Sequence, residues 1–102
     1  MDEKYALKIV VDKLLGDDSI PVRLRLNKEY TSNEIESLYQ ALDFLAEYYT
    51  EHAMVPKLLS LALTDVYGMF SFRVGIYSED KCRELEDIGI KLQDMAIDIF
   101  TR

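Results

Sequence analysis

Two stretches of this chain read as long amphipathic helices, and the rest of the fold has to be arranged around them. The first opens on Thr31-Ser32-Asn33-Glu34, a run of helix-capping residues. Thr31 and Glu34 fit a capping box, in which the hydroxyl and the carboxylate each satisfy a backbone N–H left unpaired by the first turn. Asn33 and Glu34 also suit the positive end of the helix dipole. The spacing predicts a helix from about Ser32 to His52, with Ile35, Leu38, Leu42, Leu45, Ala46 and Tyr49 as its inner stripe. The second stretch opens at Ser78-Glu79-Asp80-Lys81 and turns Leu85, Ile88, Leu92, Met95, Ala96 and Ile99 inward. Gly89 falls on that inner face, where glycine costs about 1 kcal/mol relative to alanine. Its presence there predicts that another element approaches closely.

The remaining segments read as β-structure. Residues 5–11 carry the β-branched run Ile9-Val10-Val11, which favours a strand, although Leu7, Val10, Val11, Leu14 and Leu15 also keep helical spacing ahead of Gly16. Gly16-Asp17-Asp18-Ser19 is a turn cluster. Over 21–27, Val22, Leu24 and Leu26 alternate with Arg23, Arg25 and Asn27, as in a half-buried strand, and Pro21 is tolerated at its start. Residues 69–77 alternate in the same way, with Phe70, Phe72, Val74 and Ile76 on one face. A strand there needs a ladder partner for its backbone groups, so 58–64 is assigned as that partner, with Asp65–Gly68 as the connection. A short helix beginning at Pro56 is the alternative for this segment.

The expected architecture is α+β: order ββαββα, a four-stranded antiparallel sheet with two long helices packed on one face. It forms a single domain over 1–102. The halves 5–52 and 57–100 echo each other, with Leu38 and Leu85 at the same offset as Thr31 and Ser78. Shared capping chemistry at two helix starts would also produce that echo.

Charge narrows the function classes. Between Lys28 and Lys57 there is no Lys or Arg, while 29–56 holds six acids and five aromatics. The net charge is −7 and the twelve basic residues are scattered, which disfavours nucleic acid and anionic membrane surfaces as partners. A basic protein surface is the electrostatic complement. One cysteine, Cys82, excludes an internal disulfide and a thiolate metal cluster. No secretory signal or membrane-spanning run is read from the sequence, so cytoplasmic residence is the expectation.

No phosphate loop, nucleophile elbow or paired-histidine motif occurs, and no catalytic residue, metal or cofactor is assigned. Asp17 with Asp18, or Glu47 with Glu51, could approach a cation, but acids in such pairs are ordinarily solvated. His52 stands at the predicted end of the acidic helix, and Cys82 at the edge of an apolar face, where a thiol packs as a small hydrophobe. The unusual residues lie on the helix backs. Phe44 falls opposite the inner stripe among Gln40, Glu47 and Glu51, with Tyr48 beside it. On the last helix, Ile90 and Ile97 point away from the Leu85/Leu92/Ile99 stripe. Clustered exposed apolar groups mark contacts, so Phe44, Glu47, Tyr48, Glu51, Ile90 and Ile97 are the candidate partner-binding residues. The reading is a non-enzymatic protein-interaction module that self-associates. The alternative is an acidic inhibitor, of immunity type, occupying the basic cleft of a nuclease or nucleic-acid-binding protein. A small-ligand regulatory domain, with a cleft between the two echoing units, is a third reading.

Overall fold

The capping box forms, and it joins three helices. In a computed structural model describing residues 1–102, the Glu34 N–H donates to the Thr31 hydroxyl at 3.2 Å and the Thr31 N–H donates to the Glu34 carboxylate at 2.8 Å. These bonds start α3 (Ser32–Tyr48), which closes in a 3-10 turn over Tyr49–Glu51. The same carboxylate accepts from Arg23 of α2 (Ile20–Arg25) at 3.1 and 2.5 Å, and from Lys13 of α1 (Glu3–Leu14) at 3.2 Å. Three further helices complete the chain: α4 (Lys57–Leu63), α5 (Val66–Met69) and α6 (Glu79–Thr101).

The architecture is all-helical, so the expected four-stranded α+β sheet is wrong. The single β feature is an isolated bridge between Val74 and Tyr77. Each of the four strand assignments fails for a local reason. At 5–11 the helical spacing prevails over the β-branched run. Asp2 caps α1 by accepting from the Tyr5 N–H at 2.8 Å. Lys8 and Asp12 pair at 2.7 Å one turn apart, and Ala6, Val10 and Leu14 form the buried line.

At 21–27, Ser19 caps α2 and Pro21 sits in its first turn, where a missing N–H costs nothing. Asn27 ends the helix in the left-handed region at φ 59°. The Lys28 N–H reaches the Arg23 carbonyl at 2.8 Å and the Asn27 N–H the Leu24 carbonyl at 3.2 Å, a Schellman ending. The Val22/Leu24/Leu26 alternation therefore separates: Leu24 is buried, while Leu26 is exposed.

At 57–63, six residues of leucine, serine and alanine follow Lys57 and favour a helix, and Leu59, Ala62 and Leu63 are its buried side. With that segment helical, 69–77 has no ladder partner. Phe70 is buried at the end of α5, and Phe72 meets Tyr77 edge-to-face at 5.2 Å. Val74 and Ile76 are left exposed on a turn at Gly75, whose φ is +112°. The echo between the two halves reduces to its two caps, because its strands do not exist.

Packing follows from the end contacts. Glu3 meets the Tyr49 hydroxyl and Lys13 meets Glu34, so α1 runs antiparallel to α3. Tyr30 donates to Glu84 at 2.6 Å, and Lys91 lies 4.1 Å above the Tyr39 ring. Arg102 feels the charges of Glu47 and Asp43. α6 is therefore parallel to α3. α4 packs on α1 and α5 on α6, and the Tyr77 hydroxyl ties the loop before α6 to the Leu24 carbonyl at 2.6 Å. The buried apolar residues form one cluster, which includes all six expected stripe residues of α3. Gly89 explains the α5–α6 approach: a Cβ there would lie 3.1 Å from Phe70 Cβ and 3.1 Å from the Tyr67 carbonyl oxygen.

Two outcomes test this account. Arg23, and after it the Thr31 N–H and Lys13, hold the Glu34 carboxyl down to about 2 from its ordinary 4.5, against a smaller opposing effect of burial. A depressed carboxylate stabilises the fold fully above the ordinary value and loses that contribution as the pH falls towards 2. Urea unfolding followed by circular dichroism should show Glu34→Ala less stable by about 3 kcal/mol at pH 7. The variant should also lose less stability than the wild type between pH 5 and pH 2. Gly89→Ala should not raise the melting temperature, although it removes a helix penalty of about 1 kcal/mol. A rise would mean that α5 yields to the added methyl.

Candidate interaction surface

α3 places an aromatic ladder along one flank. Phe44 and Tyr48 stack with ring centroids 6.0 Å apart and planes at 21°, and Tyr48 stacks on His52 at 5.0 Å and 11°. Tyr49 meets Tyr48 and His52 edge-on. Phe44 and Tyr48 are spaced by four and share a helix face, and the 3-10 turn over Tyr49–Glu51 brings His52 back onto Tyr48. Phe44 is not the free anchor that its position opposite the inner stripe suggests. It is half-buried and packs against the core. α3 is flanked by α1 on one side and α6 on the other, so its covered arc is wider than the stripe, and Ala41, one turn before Phe44, is fully buried. Tyr48 stays partly exposed, and Glu47 and Glu51 are exposed beside it. The anionic flank is partly compensated, since Arg102 comes near Glu47 and Asp43 and Lys91 covers Tyr39. Burial and the Glu3 carboxylate push the Tyr49 hydroxyl up, which keeps it a proton donor at neutral pH.

Ile90 and Ile97 lie elsewhere. α6 packs on α3 along the side where Lys91 covers Tyr39, and its start bonds Tyr30, just before α3, through Glu84. The α6 residues that meet α5 are Glu86, bonded to Tyr67 at 2.9 Å, and Gly89. Ile90, Gln93 and Ile97 continue the Glu86 line at helical spacing, on the flank away from α3. The structure therefore divides the six predicted residues into two places: Phe44, Glu47, Tyr48 and Glu51 on the outside of α3, and Ile90 with Ile97 on the α4–α5 side of α6.

On that second side a larger apolar feature emerges. Ser60, Leu63 and Thr64 of α4 and Gln93, Ala96, Ile97 and Phe100 of α6 enclose a groove of about 410 Å³ with no charged side chain in its lining. Ile90, Ile97 and Phe100 remain 45 %, 51 % and 47 % exposed. On the other side of α4, Leu7 and Val11 of α1 with Pro56 and Leu58 line a groove of about 270 Å³, edged by Lys4, Lys8 and Asp12. Between the two grooves stand Leu58 and Leu61, each 57 % exposed. α4 thus buries Leu59, Ala62 and Leu63 and presents leucines outward as well. After Lys57 it contains no charge.

Leu58, Leu61 and Phe100 are the residues that sequence reasoning missed. Read as a strand, 58–64 alternates and hides the i,i+3 relation of Leu58 and Leu61. The usable signal was the absence of charge over seven residues in a chain that is 30% charged.

Cys82 and His52 are not brought together. No three His, Cys, Asp or Glu side chains converge as a metal site. Cys82 is buried near the start of α6, its thiol 3.6 Å from the Tyr77 carbonyl oxygen. That end of α6 lies beside Tyr30, whereas His52 follows the far end of α3, about 25 Å away along a helix of this length. No helix is long and apolar enough to cross a membrane. No family model, curated protein or solved structure matches the chain.

The two places should respond differently to truncation. Phe44→Ala should cost about 2 kcal/mol of stability, because a packed ring is lost. At a protein concentration too low for association, Ile97→Ser should cost less, about 1 kcal/mol, because about half of that side chain is already exposed. Urea denaturation of the two variants side by side measures this.

Proposed function

We propose that this protein is a non-enzymatic interaction module that works by self-association, and that its contact surface is the apolar side of α4 with the grooves on either side of it. The observation that carries the reading is the pair of outward leucines, Leu58 and Leu61, on a helix without charge beyond Lys57, with the groove of Ile97 and Phe100 on the other side of that helix. Contiguous exposed apolar surface is driven to be covered. Another protein surface covers it without burying unpaired charge, because the lining of the larger groove holds none. A dimer needs about 800 Å² on each partner, and the broad side of the molecule measures 44 × 23 Å. A cytoplasmic setting suits the reading, since the buried Cys82 then stays a reduced thiol.

The α3 flank supports the inhibitor alternative less well. Two of its acids, Asp43 and Glu47, lie near Arg102, and its most apolar residue, Phe44, is partly used by the core.

Size-exclusion chromatography with light scattering at low and high salt tests the reading. The expected mass is twice the 11.8 kDa of one chain, and it should persist at high salt because apolar contact dominates. Leu58→Ser/Leu61→Ser should shift the protein to monomer with unchanged helicity. Charge reversal at Glu36, Glu47 and Glu51 should leave the dimer intact. A wild-type monomer at high micromolar concentration would end the self-association reading.

A further inference from the structure

The apolar face is framed by charges of opposite sign, and we propose that a second copy of this chain closes it across a two-fold axis that carries α1 of each copy over α6 of the other. This rests on the self-association reading and adds the geometry. On one edge, Lys4 and Lys8 border the α1–α4 groove. Lys8 pairs with Asp12 on its own helix, and Lys4 is in no ion pair. On the other edge, Asp94 stands between Ile90 and Ile97 on α6, with Asp87 one turn before Ile90. Both are exposed, and neither has an ion-pair partner.

The level of these charges along the molecule favours the pairing. α1 is antiparallel to α3 and α6 is parallel to it, so the start of α1 and the end of α6 share one end of the bundle. Lys4 and Lys8 are then level with the last turns of α6, where Ile97 and Asp94 lie. A two-fold running along the long direction of the molecule keeps each residue at its level and exchanges left for right. It sets the lysine edge of one copy against the aspartate edge of the other, and symmetry makes this contact twice. A two-fold across the bundle would instead lay α1 on α1 and α6 on α6 with their levels reversed, so that neither lysine meets an aspartate of α6. Complementary edges fix register and suppress the wrong arrangement, while the leucines supply the burial.

Sedimentation equilibrium at low salt on two variants tests the geometry. Lys4→Glu/Lys8→Glu places acids against acids in its own dimer, and Asp94→Lys places bases against bases. Each should dimerise roughly fivefold or more weakly than the wild type, the edge contact being lost twice. An equimolar mixture of the two restores opposite charges at both edges of a mixed dimer. That mixture, and a chain carrying all three substitutions, should recover the wild-type dissociation constant within about twofold. Circular dichroism checks that the exposed substitutions leave the helices intact. Single-edge variants that dimerise like the wild type, or a mixture that fails to recover, would overturn the geometry while the self-association reading stands. A monomeric wild type would overturn both.

Discussion

The Glu34 carboxylate is the interaction on which the arrangement of the first half depends. It closes the cap of α3, and it also holds Arg23 of α2 and Lys13 of α1. A local signal of four residues thereby becomes a tertiary contact among three helices. Arg23 is well covered and further bonded to the Asp18 and Glu29 carbonyls, so the loops entering α2 and leaving it are fixed by the same guanidinium. A half-buried carboxylate with two cationic partners and a backbone N–H is fully satisfied. Removal of any partner would leave desolvated charge. That is why this node, and not the exposed pairs on α1 and α6, orders the structure.

The parallel relation of α3 and α6 then dictates where the apolar face appears. Parallel neighbours need a connection that returns the chain along the length of the bundle. Residues 52–78 make that return with two short helices and an irregular loop. Gly89 lets α5 sit against α6 at a spacing no side chain would allow. α4 is laid across α1 beside α6 and covers the core with one side only, and its other side remains at the surface. The exposed leucines are thus a consequence of topology: a seven-residue return helix cannot be wrapped on both sides in a chain of this length.

What could be read in advance was local. Caps at Thr31 and Ser78, the buried stripes of the two long helices and the tight approach at Gly89 are all set by residues within a few positions of one another. Period-2 patterns failed because four- to seven-residue windows do not separate a strand from a short helix with caps. Val22, Leu24 and Leu26 alternate, yet Ser19, Pro21 and Asn27 build a helix around them. Phe70 to Ile76 alternate too, but a strand is a pairwise object, and its only available partner had become α4. At the candidate surface, Ile90 and Ile97 were found from one helix wheel alone. Leu58 and Leu61 were not, since their exposure depends on which side of α4 meets α1. Phe44 was placed outside because a wheel does not show how far the neighbouring helices wrap.

The distribution of charge gives the apolar face its meaning. Two copies of a chain with net charge −7 repel each other on average. Approach through the α3 flank would press Glu36, Glu47 and Glu51 against their counterparts, and approach through Asp87 and Asp94 alone would do the same. α4 has no acid among its residues, and Lys4 and Lys8 border it on the α1 side, together with Asp12. In the proposed dimer, contact there excludes water from leucine, isoleucine and phenylalanine and leaves the acids of α3 hydrated. For that proposed dimer the same net charge works in favour of specificity, because it penalises every orientation that lacks the uncharged face.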